Sequence, residues 1–101
     1  MNNVHKYQMD GAFAISQERR HQFDLGRTVE NDVKHNDFGQ LRQAAIRLVI
    51  TEKMLSEDQI FLFCPIVWDL KYWSKMCNKP YKKRLIIAGA LIAAEIDRIS
   101  Q

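Results

Sequence analysis

The C-terminal stretch KKRLIIAGALIAAEIDRIS, residues 82–100, constrains the fold of this 101-residue chain more than any other segment. Apolar side chains recur along it at the spacing of an α-helix. The principal apolar stripe consists of Leu85, Ala88, Gly89, Ile92, Ile96 and Ile99. A second stripe beside it widens the apolar surface and consists of Ile87, Leu91 and Ala94. An apolar surface this broad needs cover on more than one side. We predict a long apolar C-terminal helix, with Pro80 in its first turn, that is central to the fold or forms one side of an oligomer interface.

Two earlier segments carry clear helix signals. Ser16 as the N-cap and Gly26 just past the end predict a first helix. Asp37 and Gln40 have the spacing of a capping box, and an apolar stripe at helical period follows them. We therefore predict a second helix that begins at Asp37 and fades near Met54.

A further capping box, Ser56 with Gln59, precedes the apolar run IFLFCPIVW. This run can form a short buried helix that is broken at Pro65, or a buried extended segment, and periodicity leaves both open. The chain contains no internal repeat. We predict an all-α fold, a compact bundle of three or four helices in a single domain over residues 1–101, with residues 1–14 as a loose N-terminal arm.

Cysteine usage and hydropathy exclude several classes of protein. Cys64 and Cys77 are too few for a disulfide framework and too far apart in sequence for a metal-binding pair. The N-terminal residues lack the apolar core of a signal peptide. The longest apolar run, residues 85–94, has ten residues, whereas about twenty are needed to cross a bilayer. We expect a soluble cytoplasmic protein with no membrane partner.

Cations and aromatic residues gather where the last helix begins. Residues 71–84 contain six of the fifteen Lys and Arg residues and no acid, while the rest of the chain has nine cations and twelve acids. A helix N-terminus flanked by cations is an anion site, and nearby aromatic rings can stack a base. The candidate ligand-binding residues are Trp68, Trp73, Lys79, Tyr81, Lys82, Lys83 and Arg84. In the alternative interpretation the tryptophans belong to the core and the lysines form a solvated face.

The polar segment 27–39 is a second candidate site, which we interpret as an ordered loop. Its candidate ligand-binding residues are Arg27, Thr28, Glu30, Asp32 and His35. Carboxylates and a histidine this close together could hold a divalent cation, but caps and surface ion pairs explain them equally, and we assign no metal and no cofactor. Near the C-terminus, we expect the carboxylate of Glu95 to pair with Arg19 or Arg20 of the first helix.

Three stretches resemble a group of small phage and prophage proteins: ERRHQ…GRTVENDVKHNDFGQLRQAA (18–45), WDLKYW (68–73) and residues 82–100. The group's pattern runs E-R-x-x-Q, G-W-T-x-E-H-D-D-x-H, G-E/Q-L-x-x-A-A and, in the last helix, R-x-L-x-x-A-x-A-L-I-x-A-E-I-x-R-L. Positions that fit it are Gly26, Thr28, Glu30, Asp32, His35, Gly39, Gln40 and Leu41. Positions that depart from it are Arg27 for Trp, Asn31 for His, Val33 for Asp and Lys83 for Arg. The part of the first stretch that matches G-W-T and the acidic residues after it is also similar to ryanodine-receptor-repeat domains, a resemblance that implies adenine-nucleotide-type ligands.

No P-loop, nucleophile elbow or zinc-protease motif is present, and the paired carboxylates of all-α nucleotide pyrophosphatases are missing, so we expect no enzyme. The resemblance implies a phage or prophage accessory protein, and such proteins of this size mostly act by binding; we expect a counter-defence role. Our first hypothesis is sequestration of an anionic, nucleotide-type immune signal by a homo-oligomer formed through the C-terminal helix. The alternatives are a protein–protein inhibitor of a host nuclease or CRISPR effector, and a weak nucleic-acid-binding protein.

Overall fold

The structure, a computed structural model, describes residues 10–101, and this part of the chain is helical without strands. Its six helices are α1 (Asp10–Asp24), α2 (Val29–His35), α3 (Gln40–Leu48), α4 (Glu57–Leu62), α5 (Leu70–Cys77) and α6 (Tyr81–Ile99). The all-α class is confirmed. Residues 10–14, expected in a loose arm, belong to α1, and the remainder of that predicted arm lies outside the described residues.

Six helices replace the predicted three or four because two short helices form where none was expected. Helix α2 lies within the segment interpreted as a loop, and its N-cap Thr28 accepts a hydrogen bond at Oγ1 from the backbone N–H of Asn31 at 3.3 Å. Helix α5 begins after Asp69, whose Oδ1 accepts from the backbone N–H of Lys71 at 2.7 Å. Both caps are of the residue types that favour helix starts, but neither precedes a long apolar stripe.

Several helix boundaries differ from the prediction. Ser16 lies inside α1 and does not cap it, whereas Gly26 follows the helix in a left-handed conformation with φ +87°. Helix α3 begins after Gly39, not at Asp37. The Gln40 side chain instead accepts a hydrogen bond from the backbone N–H of Phe38 at 2.8 Å, so the expected capping box does not form. Helix α3 also ends at residue 48, well before the expected end.

The capping box of Ser56 and Gln59 is confirmed, and it decides the ambiguous apolar run. Ser56 Oγ accepts from the Gln59 N–H at 3.1 Å, and Gln59 Oε1 accepts from the Ser56 N–H at 2.9 Å. The segment therefore begins as helix α4 and is not an extended run. It is not fully buried: Ile60 enters the core, while Phe61 and Leu62 are exposed.

Helix α6 is the element against which α1, α2 and α3 pack, while α4 and α5 pack on each other. Its core-facing arc contains Ile87, Ala88, Leu91 and Ala94, the side chains that meet Leu41, Ala44, Ala45, Leu48, Trp73, Met76 and Cys77 in the core. Four members of the predicted principal stripe face away from the core, because Leu85, Ile92, Ile96 and Ile99 are 43%, 51%, 55% and 63% exposed, whereas its member Ala88 is buried in the core. A small residue is required where α1 crosses α6, since a Cβ on Gly89 would lie 2.5 Å from Ile15 Cδ1.

None of the helices within residues 10–101 is sufficiently long and apolar to cross a membrane. Both cysteines in this range are free, and burial raises the pKa of the Cys77 thiol to about 12. A thiol in that state is a packing group and not a nucleophile.

Candidate functional site

Arg84, one of the predicted phosphate ligands, is fully buried, and its guanidinium donates all of its hydrogen bonds to backbone carbonyls. A guanidinium has five N–H donors. The five acceptors are Lys79 O (3.1 Å from Nε), Leu48 O (2.8 Å) and Thr51 O (3.0 Å) from Nη1, and Glu52 O (3.2 Å) and Lys53 O (2.9 Å) from Nη2. Arg84 thus closes the C-terminal end of α3 and the loop after it, and it has no donor left for a phosphate.

The other members of the predicted basic-aromatic site are spread over different environments. Trp73 is buried in the core and donates from Nε1 to Ile60 O at 2.9 Å, so its ring faces are closed to a ligand. Lys79 and Lys82 are exposed, and Lys83 Nζ lies 3.1 Å from Glu18 Oε1. The half-buried ring of Tyr81 packs against the guanidinium of Arg84, 5.4 Å from centroid to Cζ. These residues do not form one phosphate-binding cradle.

The candidates of segment 27–39 divide into two groups. Thr28 is the cap of α2, and the exposed Glu30 lies 3.7 Å from Lys34 one helical turn away. Arg27, Asp32 and His35 instead line a cavity of about 240 Å³, and Trp68 from the other predicted site lines it with them. The structure therefore brings together four candidates that come from two separate stretches of sequence.

This cavity lies between α1, α2, α3, α5 and α6 and the loop before α5. Its apolar wall is formed by Leu41, Met76, Leu91 and Ala94, and its aromatic side by Trp68 and Tyr72. Polar side chains line it from α1, from the loop after α1, from α2 and its C-cap, and from the N-cap of α5: Arg19, Gln22, Arg27, Asp32, His35, Asn36 and Asp69. A concave, mostly apolar cavity with a few convergent polar groups is the usual form of a small-molecule site.

A chain of hydrogen bonds fixes the Asp32 carboxyl at the cavity wall. Trp68 Nε1 donates to Asn36 Oδ1 at 2.7 Å, and Asn36 Nδ2 donates to Asp32 Oδ1 at 2.8 Å. The second carboxyl oxygen, Oδ2, is buried and has no hydrogen-bond partner. Asp32 therefore has one oxygen held by the protein and one oxygen free to accept a hydrogen bond.

Arg19 of α1 is the cation that lines the cavity together with the acid Asp32, and its ion pair differs from the predicted pair with Glu95. Its Nη2 donates to Asp97 Oδ2 at 3.1 Å, and its Nη1 donates to Arg27 O at 3.5 Å. Glu95, which we expected to pair with this helix, instead binds Arg98 on its own helix at 2.7 Å. The prediction was wrong because α6 is rotated so that Asp97, not Glu95, faces α1.

Burial dominates the electrostatics at Asp32. Loss of solvent raises the pKa of its carboxyl, and the charge of Glu95 acts in the same direction. The hydrogen bond from Asn36 and the charges of Arg19 and Arg27 lower that pKa, but by less. The Glu95 carboxyl behaves oppositely, since its hydrogen bonds from Arg98 lower its pKa.

The edge of the cavity contains a strained backbone position. Val67, which lines the cavity beside Trp68, has φ +61°. A β-branched residue in this conformation is a genuine outlier, because its side chain crowds the backbone there. Strain of this kind clusters at binding sites, where surrounding contacts hold it in place.

The possible cation site of segment 27–39 does not assemble. Over residues 10–101, no three His, Cys, Asp or Glu side chains lie close enough together to hold a metal ion. The carboxylate of Glu30 points to solvent beside Lys34, while that of Asp32 is buried in the cavity wall.

Four polar side chains of the cavity were missed from the sequence: Arg19, Gln22, Asn36 and Asp69. A signal for the first two existed. Ile15, Arg19, Gln22 and Phe23 share one face of α1, and a face that packs on the core with so few apolar residues indicates polar groups directed inward. No signal marked Asn36, whose role depends on a contact with Trp68 across 32 positions of the chain.

No protein-family model, curated protein or solved structure matches this chain.

Proposed function

We propose that this protein binds a small, planar, nucleotide-type molecule and inserts its ring into the cavity beside Trp68. The observation that carries the proposal is the composition of that cavity: an apolar wall, two aromatic side chains and buried charged groups from two helices within about 240 Å³. Sites for drug-sized ligands are commonly about 300–1,000 Å³. The smaller volume here suits a single heterocyclic ring system, with any sugar and phosphate at the opening.

The proposed site differs from the basic segment at the start of α6. The cavity meets α6 at Leu91 and Ala94, whereas Lys82 is nine residues before Leu91, about 14 Å along a helix. A base in the cavity would therefore not place its first phosphate near Lys82. Arg27, half-buried at the cavity, is the cation better situated to hold a phosphate.

The biological role that we propose is sequestration without chemistry, by a phage or prophage accessory protein acting in the host cytoplasm. The resemblance of segment 18–45 and of the last helix to small phage proteins supports this role. The proposed ligand is a nucleotide-type immune signal of the host. While its ring is bound and buried in the cavity, the signal cannot reach the receptor that it would activate.

A second candidate function, association with a protein, is favoured by the exposed face of α6. Leu85, Ile92 and Ile99 recur every seven residues, and Ile96 falls between them, all at 43–63% exposure. This is the seam spacing of helices that pack along one another. We propose a second copy of this chain as the partner, because two identical seams are complementary. A host nuclease or CRISPR effector is the alternative occupant.

The proposal is tested by isothermal titration calorimetry with a panel of nucleosides and their monophosphates. Arg27→Glu should weaken monophosphate binding at least tenfold and leave nucleoside binding nearly unchanged. The matched control is Arg20→Glu, the same charge change at an exposed position of α1 that does not line this cavity. Binding should also raise the melting temperature, since a ligand at 100 times its Kd adds about 2.7 kcal/mol. A panel with no binder would overturn the proposal, and binding that falls steeply with salt and requires polymer would favour the nucleic-acid alternative.

A further inference from the structure

Two charged atoms in the cavity wall have no partner. Over residues 10–101, Arg19 Nε and Asp32 Oδ2 are the buried side-chain nitrogen and oxygen that make no hydrogen bond. Both residues are more than nine-tenths buried, at 9% and 3% exposure, and both line the same cavity. Buried polar atoms are nearly always satisfied in native proteins, so each exception needs an explanation.

The two side chains are opposite in charge, yet no ion pair forms between them. The protein holds them apart by binding their other atoms. Asp97 and the carbonyl of Arg27 hold the two terminal nitrogens of Arg19, and the Trp68–Asn36 chain holds the other oxygen of Asp32. The free atoms are therefore a fixed donor from α1 and a fixed acceptor from α2, preorganised before any ligand arrives.

The charge of the site excludes an anion at this inner position. A phosphate or carboxylate could accept from Arg19, but it would lie against the Asp32 carboxylate without a proton to donate. A cation would have the opposite conflict with Arg19. A neutral group that accepts on one atom and donates from the next satisfies both at once.

We infer that the cavity recognises the hydrogen-bonding edge of a nucleobase: an acceptor atom on that edge takes the N–H of Arg19 Nε, and a neighbouring ligand N–H donates to Asp32 Oδ2. Amidine edges, as in adenine, and lactam edges, as in uracil, share this chemistry. The inference rests on the proposed function and specifies how the ring is oriented. The base points inward, and the sugar and phosphate point toward Arg27.

Matched pairs of nucleosides test the inference. Adenosine is compared with purine riboside, which lacks the exocyclic amine, and uridine with N3-methyluridine, which lacks the ring N–H. Loss of a hydrogen bond to a charged group should weaken binding about tenfold or more in at least one pair. The pair that responds distinguishes an amidine edge from a lactam edge.

The Asp32→Asn variant assigns the contact, because an amide can present a donor where the carboxylate only accepts. The tenfold difference within the responding pair should shrink to about threefold or less. The matched control is Glu30→Gln, an equal charge change two residues away on the exposed side of α2, which should retain the full difference. Circular dichroism and melting confirm that both variants fold.

The outcomes separate this inference from the proposed function. Equal binding within both pairs overturns the edge recognition while the cavity remains a nucleoside site. A difference that persists in Asp32→Asn overturns the assignment to Asp32. If no nucleoside binds at all, the proposed function fails and the inference fails with it.

Discussion

Replacing Asp32 with asparagine should stabilise the folded protein at neutral pH. Burial raises the pKa of this carboxyl above its ordinary value of 3.8, although Asn36, Arg19 and Arg27 act against the shift. The folded protein therefore binds this proton more tightly than the unfolded chain does. By linkage, the contribution of Asp32 to stability is greatest below pH 3.8 and is lost as pH rises through the folded-state pKa.

The magnitude follows from the unsatisfied oxygen. A buried acceptor without a partner costs about 1–3 kcal/mol. Asparagine removes the charge and can still accept from Asn36 Nδ2 at the Oδ1 position, but it loses attraction to Arg19 and Arg27 and places an amide N–H₂ in the cavity. The net gain should be about 1 kcal/mol, which corresponds to about 4–8 °C in Tm for a domain of this size.

Urea unfolding of both proteins between pH 3 and pH 8 measures this effect, because other titrations cancel in the difference. The excess stability of Asp32→Asn should be near zero below pH 3.8, should grow as pH rises and should then level off. An excess that is constant with pH would mean that the pKa of this carboxyl is the same in the folded and unfolded states. A variant less stable than the parent at pH 7 would refute the claim that the Asp32 carboxylate is under-satisfied.

Four further predictions concern other parts of the molecule. Arg84→Lys should lower the free energy of unfolding, measured with guanidinium chloride as denaturant, by about 2–4 kcal/mol, because an ammonium has three donors for the five carbonyls that Arg84 now binds. A loss under about 1 kcal/mol would contradict that role. Val67→Gly should raise stability by about 0.5–1 kcal/mol by removing left-handed strain, whereas the control Val33→Gly on the exposed face of α2 should lower it by a similar amount, and equal effects would argue against strain. Glu95→Gln should lower the free energy of unfolding by about 1 kcal/mol at pH 7, because the charged contact with Arg98 is lost. Since the pKa of Glu95 is lowered in the folded protein, this difference from the parent should disappear as pH falls through the folded-state pKa, and melting curves over a pH series measure it. Ile92→Glu should dissociate the proposed dimer in sedimentation experiments, and a parent protein that is monomeric at all concentrations would rule out a second copy as the partner of α6.

The sequence predicted helix signals better than it predicted which face of a helix is buried. The Ser56–Gln59 box and the glycine after α1 could be identified because capping is local chemistry. In α6, both apolar arcs are rich in Ile and Leu, so composition could not choose between them. The choice depends on Arg84, which shares the core-facing arc with Ile87 and Leu91 and was interpreted as a phosphate ligand.

The true role of Arg84 depended on the end of a different helix. If α3 continued to Met54 as predicted, the carbonyls of residues 48–50 would be bonded within the helix and would need no external donor. Because α3 ends at Leu48, Leu48 O and three carbonyls of the following loop remain free, and Arg84 satisfies them. Arg84 was interpreted as a phosphate ligand because it follows Lys82 and Lys83 in the first turns of the last helix, and nothing in that local pattern indicates a contact with the end of α3.

The two unpaired charged atoms in the cavity wall lower the stability of the folded protein, and a binding function accounts for that cost. A domain of about 100 residues is stable by about 5–15 kcal/mol, and two buried charged atoms without partners are a substantial fraction of that margin. A ligand that satisfies both atoms recovers this free energy on binding, which is the usual trade-off between stability and function. Stability and binding should therefore move in opposite directions in Asp32→Asn: higher Tm and weaker nucleoside affinity. Higher stability with unchanged affinity would instead identify Asp32 as a packing defect beside the site, since replacing a carboxylate that accepts a hydrogen bond from the ligand should weaken binding.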